Sequence, residues 1–334
     1  MDEKIQLAHG GGGKLSARLI KDEILSRFGN GPLRNLPDAA ELPPVAGNII
    51  YSTDSFVVSP YFFPGGNIGE LAVYGTVNDV CVAGGRPQWL SLALIIEEGF
   101  PLENLRRILD STAEAAKRCG VTIVTGDTKV VQKGNCDGIY MNTSGIGVKV
   151  AGLELGRQRI KPGDAVIVSG TIGEHGFAVL AARNGIRTGE GLVSDCGPLN
   201  GLLEQAVPFG NKVKFMRDPT RGGVAAVLNE IVEGMEFGIE LKQNAVPVSE
   251  GVRSVSEMLG IDPLNVACEG RMILICDQSA ADGILSGFKS LPEGKGVCVI
   301  GAVGGIAGTV TMKTITGVSR LIDLPSGELL PRIC

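Results

Sequence analysis

Five residues of this 334-residue chain combine a reactive type with a telling position. Four are aspartates: Asp54 in Ser52-Thr53-Asp54-Ser55-Phe56, Asp79 in Val77-Asn78-Asp79-Val80, Asp127 in Gly126-Asp127-Thr128, and Asp218 in Arg217-Asp218-Pro219-Thr220. Each stands at the expected end of an apolar element, and carboxylates so placed can converge on one crevice in α/β proteins. Nucleotide-bound Mg²⁺ takes one or two carboxylates plus phosphate oxygens, and further carboxylates can hold a second ion. The fifth is the last residue, Cys334, in Leu330-Pro331-Arg332-Ile333-Cys334. A thiol at the end of an exposed tail packs poorly but can be delivered into a pocket. Together these features suggest ATP chemistry on the tail itself.

The lesser candidates each have an ordinary alternative. A single Asp is more often a turn or a helix cap. Asn78 and Asp79 differ, because two polar residues on the apolar face of a helix are expensive unless something binds them. Lys129 could contact phosphate or act as a base, or be a surface lysine. Glu269, in Ala267-Cys268-Glu269-Gly270-Arg271, could be a base or a nucleotide ligand, and a strand-end ion pair with Arg271 is equally reasonable. His175 reads as a capping or structural histidine. His9-Gly10-Gly11-Gly12-Gly13-Lys14 invites comparison with a P-loop, but Ala8 and Leu15 break that pattern. What remains is a run of backbone N–H groups before a helix, able to wrap an anion, or else a floppy linker.

The elements that must position these residues alternate between strand and helix. Leu15, Leu19, Ile20, Ile24, Leu25 and Phe28 mark one face of a helix, with a short strand expected before it at 5–8. Strands are expected at 49–53 and 56–58 with Asp54 between them, at 87–96, at 121–125 and at 138–148, with helices at 67–83 and 102–119. Lys161-Pro162-Gly163-Asp164 is a turn that opens a second α/β half. That half carries strands at 165–169, 238–241, 271–276, 297–300 and 309–313, and helices from about 177, at 199–207, 224–233 and 280–289. The boundary between halves is expected near residue 155.

Composition excludes several classes. Lys+Arg 31 against Asp+Glu 36, with 4% aromatic residues, argues against nucleic-acid binding. The strongest apolar stretch, around 90–96, is too short to span a membrane. The start, Met1-Asp2-Glu3-Lys4, lacks the regions of a signal peptide, and the eight cysteines contain no CxxC pair, so a cytoplasmic protein with reduced thiols is expected. Two histidines are too few for a His-rich metal site. Glycine is abundant, at 49 residues, which suits close backbone approach to a ligand.

Thr53-Asp54-Ser55, Val77-Asn78-Asp79-Val80, Gly126-Asp127-Thr128 and Arg217-Asp218-Pro219-Thr220-Arg221-Gly222-Gly223, in this order, resemble the ATP-binding signatures of the aminoimidazole ribonucleotide synthetase-like superfamily. That group also includes selenophosphate synthetase and thiamine-monophosphate kinase. Within it, the His9-Gly10-Gly11-Gly12-Gly13 loop and the terminal Pro331-Arg332-Ile333-Cys334 resemble the HypE family of hydrogenase maturation proteins, over essentially the whole chain.

The resemblance implies an α/β (α+β) fold of two domains, with N-terminal sheets pairing in a homodimer and a flexible C-terminal tail. The chain then divides into a glycine-rich loop and helix at 1–47, an ATP-binding and dimerisation domain at 48–154, a C-terminal α/β domain at 155–320 and a mobile tail at 321–334. It implies ATP held by Gly10, Gly11, Gly12, Gly13, Asp54, Asn78, Asp79, Asp127, Asp218 and Thr220, with Mg²⁺ on the four aspartates. It implies that Cys334 receives a carbamoyl group from the carbamoyltransferase HypF and that the S-carboxamide is dehydrated to a thiocyanate. The cyano group then passes to iron on the HypC–HypD complex. Lys129 and Glu269 match the family's proposed proton acceptors. Residues 325–334, biased to extended chain by Pro325 and Pro331, would reach roughly 30 Å. One alternative is a selenophosphate synthetase-like enzyme, but that would carry its reactive Cys or selenocysteine in the glycine loop, where this chain has His9. The other is a non-catalytic, nucleotide-gated carrier of the Cys334 thiol.

Overall fold

The computed structural model describes residues 4–186, 191–324, 330 and 332–334, so the readings of Pro325 and Pro331 lie outside the described residues. The expected strand at 5–8 is instead a 3₁₀ turn, Leu7–Gly10, with a single bridge from Lys4 to Pro101. The following helix is not uniform. It runs as α1 (Lys14–Leu19), a π-helical stretch (Ile20–Leu25) and a last turn α2 (Ser26–Phe28). The wide stretch carries the buried Glu23, whose carboxylate pairs with Arg106 at 2.8 Å and Arg27 at 3.1 Å. A charged residue on the inward face is satisfied there by two arginines.

The N-terminal domain is one four-stranded sheet under two helices. Its elements are β1 (Ile49–Phe56), a small hairpin β2 (Phe62–Phe63) and β3 (Gly66–Asn67), α3 (Ile68–Val82), β4 (Gly85–Glu97), α4 (Leu102–Cys119), β5 (Thr122–Val131) and β6 (Ile139–Lys149). The order is β1-β6-β4-β5, with only β4 and β5 parallel. The Asn67 side chain caps α3 by accepting from Gly69 N–H at 2.8 Å, as its residue type favours. The α4 stripe of Leu102, Leu105, Ile108 and Leu109 is buried, and Gly120 ends the helix at φ 68°. Two expected breaks are absent. Asp54 sits inside β1 and Gly126-Asp127-Thr128 inside β5. Polar residues do not interrupt a ladder when the alternating faces give them partners or solvent.

The C-terminal domain carries β7 (Ala165–Gly170), α5 (Glu174–Arg183), α6 (Asn200–Ala206), β8 (Val213–Arg217), α7 (Gly223–Val232), β9 (Ile239–Lys242), α8 (Glu250–Leu259), β10 (Ile273–Cys276), α9 (Ala281–Lys289), β11 (Gly296–Val303), β12 (Val310–Lys313) and β13 (Ser319–Leu321). The sheet order is β13-β12-β9-β11-β7-β10-β8, and every residue of the interior strands β7 and β10 is buried. Neither β8 nor α8 was expected from the sequence. The signals for α8 are present: Ser249 caps it, Val252 and Val255 are buried, and Gly260 ends it at φ 68°. The expected boundary near 155 falls in the connection between β6 and β7.

Both domains share a continuous core on one face of the second sheet. Polar clamps reinforce it. Arg86 grips Glu204 with two hydrogen bonds of 2.6 and 2.8 Å, and Arg118 pairs with Glu293 at 2.6 Å.

Candidate active site

The domain junction gathers four acids. On β1, Ser52 and Asp54 face α3, where the Ser52 hydroxyl donates to Asp79 Oδ2 at 2.6 Å and the Asp79 charge acts on the Asp54 carboxyl. Gly75 allows this approach, since a Cβ there would lie 2.8 Å from the Phe56 ring. Asp218 follows β8, and Glu269 precedes β10. The two loops are tied together by Cys268 N–H donating to Pro219 O at 2.9 Å, and the first is closed on itself by Gly223 N–H donating to Thr220 O at 2.9 Å.

These acids share one field. Burial first and the Asp79 charge second push Asp54 up to about 6. Burial and then Asp79 push Asp218 up to about 7. Glu269 rises well above the carboxylate range through burial, then through Asp218 and Asp195. The expected Glu269–Arg271 ion pair is not formed. Arg271 turns to Glu174 at 2.8 Å and to Asp195 at 3.7 Å, leaving Glu269 Oε1 buried with no hydrogen-bond partner. Burial and mutual charge thus raise three of these crowded carboxyls, and one of them keeps a buried oxygen without a partner.

Asp127 does not join them. It lies on β5 at the other edge of the first sheet, with the Lys129 ammonium 3.1 Å from its Oδ2. The glycine loop packs here: a Cβ on Gly10 would stand 2.7 Å from Val130 N, and Gly12 needs φ 74°. The Ser16 hydroxyl donates to His9 O at 2.5 Å and accepts from Gly12 N–H at 3.2 Å, so the loop is a folded turn rather than a linker. Gly10, Gly12, Leu92, Asp127 and Lys129 line a cavity of about 270 Å³. Asp127 and the glycine loop thus lie apart from the junction acids, and among the described residues no three acidic, cysteine or histidine side chains form a preformed metal cage.

The Asn78 side chain, expected at the nucleotide, is engaged at the domain junction. Its amide donates to Gly197 O at 3.0 Å and to Glu269 O at 3.1 Å, and its oxygen accepts from Leu199 N–H at 2.8 Å. The second domain meets the cost of burying this amide.

The tail end is also not exposed. Leu330 and Ile333 are buried and Cys334 is half-buried. Ser59 N–H donates to Arg332 O at 3.3 Å and Val57 N–H to Cys334 O at 3.2 Å. Arg332 itself adopts φ 54°, donates to Val57 O at 3.2 Å and pairs with Asp137. Arg183 Nη2 donates to Arg332 O at 2.5 Å and its Nε to Ser59 O at 2.7 Å. His175 Nε2 lies 2.6 Å from Ile333 O. Sequence reasoning missed Arg183, Ser194 and Asp195 because each looks locally like a helix end or a loop.

The two domains match the AIR synthase related protein N-terminal domain over residues 37–149 and the AIR synthase related protein C-terminal domain over 161–312. Carbamoyl dehydratase HypE of Rhizobium leguminosarum bv. viciae is 44% identical, covering 99% of this chain and 95% of the relative. The chain belongs to the HypE family of carbamoyl dehydratases. The crystal structure of hydrogenase maturation protein HypE in complex with ATP superposes at TM-score 0.94 with 42% identity, covering 98% of this chain and 99% of that one. A HypE chain from a HypE–HypF complex superposes at 0.81 with 48% identity, covering 92% and 99%. No helix among the described residues is long and apolar enough to cross a membrane.

Proposed function

We propose that this chain dehydrates an S-carboxamide on its own Cys334 to a thiocyanate, which then donates cyanide to the iron centre in [NiFe]-hydrogenase maturation. Carbamoyl dehydration is the activity of the family to which the chain belongs, and that family includes complexes with ATP and with HypF. The observation that most supports Cys334 as the carrier is its seat. Its carbonyl accepts from Val57, three residues beyond Asp54 on the same segment.

The balance is simple. R–S–C(O)NH₂ and ATP become R–S–C≡N, ADP and inorganic phosphate. The carboxamide oxygen leaves on phosphorus, and of the two amide protons one goes to phosphate and one to solvent. ATP supplies the phosphoryl group and Mg²⁺ the positive charge that offsets it. Asp54, Asp79 and Asp218 are the residues to hold the ion, and the raised carboxyls of Asp54 and Asp218 fit that role. The lack of a three-carboxylate cage is compatible with it, since nucleotide-bound Mg²⁺ needs only one or two carboxylates.

Glu269 is assigned as acceptor of an amide proton. Burial makes its carboxylate, once ionised, a stronger base than an exposed one. Asp127, Lys129, Gly10, Gly11, Gly12 and Gly13 would serve the site of a second copy in a homodimer. The outer sheet face exposes Ile49, Tyr51 and Ile95, apolar surface suited to such pairing. HypF is the carbamoyl donor and the HypC–HypD complex the acceptor, in the cytoplasm.

The test is intact-mass and peptide analysis after treatment with carbamoyl phosphate, HypF and Mg-ATP. Cys334 should gain first a carboxamide and then a nitrile, and Cys334→Ala should gain neither. A nitrile on another cysteine, or dehydration without ATP, overturns the reading. A Cys334 that is carbamoylated but never dehydrated would favour a passive carrier.

A further inference from the structure

His175 is an unusual place to end a tail contact. It opens α5, is fully buried, and stacks edge-on against Phe63 at 5.3 Å and 88°. Its Nε2 is 2.6 Å from Ile333 O and its Nδ1 2.7 Å from Ser194 Oγ. A carbonyl only accepts, so Nε2 carries the proton, and in the neutral ring Nδ1 accepts from the Ser194 hydroxyl. Burial lowers the His175 pKa, which keeps that neutral form.

From His175 the bonds continue toward Glu269. The Ser194 hydroxyl oxygen accepts from Cys196 N–H at 3.0 Å. The buried Asp195 carboxylate accepts from His175 N–H at 3.0 Å and from Gly270 N–H at 3.1 Å. Gly270 follows Glu269 directly, and the Glu269 carbonyl is held by Asn78. Leu330 packs in the same place, where a Cβ on Gly176 would lie 3.1 Å from its Cδ1.

We propose that His175 is a positioning residue that reads the Ile333 carbonyl and seats the terminal thiol against the loop carrying Glu269. This rests on the reading of Cys334 as the carrier. When the tail leaves for carbamoyl transfer, Nε2–H loses its acceptor in a buried place, which favours return of the tail. Arg183 and Arg332 add further grip, while His175 joins the tail to the Ser194–Asp195 segment, whose Asp195 carboxylate accepts from Gly270 N–H beside Glu269. Its contribution is to alignment of the tethered substrate rather than to proton transfer.

The test compares His175→Phe, which fills the space without a donor, His175→Gln, which keeps a donor, and Arg332→Ala, a surface change that loosens the same tail. Two rates are measured: alkylation of unmodified Cys334 by iodoacetamide, read by mass, and single-turnover dehydration of protein already carbamoylated. The phenylalanine variant should alkylate faster and dehydrate at least roughly tenfold slower, since small misplacements of reacting groups are costly. Its ATP affinity should be unchanged. Glutamine should recover most of both rates, and Arg332→Ala should speed alkylation even if the phenylalanine variant does not fold. Unchanged alkylation in all three, or a phenylalanine variant dehydrating at the normal rate, overturns the proposal. Failure of the carrier reading would show differently, as no nitrile on Cys334 in the unaltered protein, while the alkylation rates still report on the latch.

Discussion

Asp54 and Asp127 lie on opposite faces of the same four-stranded sheet. Asp54 pairs with Thr143, which pairs with Leu92, and this row faces α3. Asp127 pairs with Ala93, one residue on, and so points to the other side. Three strand spacings of roughly 4.8 Å add to the separation. Within one chain the two carboxylates therefore diverge.

Complementation between copies tests the proposed homodimer. Asp54→Asn and Asp127→Asn should each abolish turnover as homodimers. Mixed dimers should regain one intact site of two, so random co-assembly recovers roughly a quarter of normal activity. The check is ATP-dependent dehydration by co-expressed, differently tagged variants. No recovery in purified mixed dimers would place Asp54 and Asp127 in the same protomer's site or outside it.

The raised carboxyls set a pH dependence. Asp218 and Asp54 hold their protons to about 7 and about 6 in the fold, but ionise near 3.8 when unfolded. Between those values the folded chain binds more protons, so the stability these groups contribute is full below about pH 4 and is lost as pH rises through 6–7. The melting temperature of ligand-free protein should fall from pH 5 to pH 8, and Asp218→Asn should flatten that fall. For Asp218 alone the effect is on the order of 2–4 kcal/mol. An identical slope in the variant would show that Asp218 is not a source of it.

Asn78→Ala should act on folding before it acts on catalysis. It strips partners from Leu199 N–H, Gly197 O and Glu269 O at the domain junction. The expected loss is about 2–4 kcal/mol, seen as a lower denaturant midpoint. Normal stability with weakened ATP binding would return Asn78 to the nucleotide.

Glu269→Gln should separate stability from chemistry in the opposite sense. The amide keeps the shape while removing a buried acid set among other acids, so the melting temperature at pH 8 should hold or rise. Carboxamide should nevertheless accumulate on Cys334 as dehydration slows. Normal dehydration would remove Glu269 from the role of base.

Much of this protein is written in short-range signals. The helix Leu102–Cys119 follows from its apolar period and the glycine behind it, and the ordered aspartate motifs with the terminal Pro331-Arg332-Ile333-Cys334 point to the family. The period of two within β1 or β5 tells which residues share a face of that strand. It does not relate the face of Asp54 to the face of Asp127, because that depends on strand order and register between segments far apart in the chain. The same holds for Asn78, Glu269 and His175. Locally each is a polar residue in an apolar setting, and only the packing of one domain on the other, and of the tail on both, supplies Gly197 and Leu199 to the first, denies Arg271 to the second and brings Ile333 to the third. Local sequence encodes the demand for a partner; long-range burial decides which partner meets it.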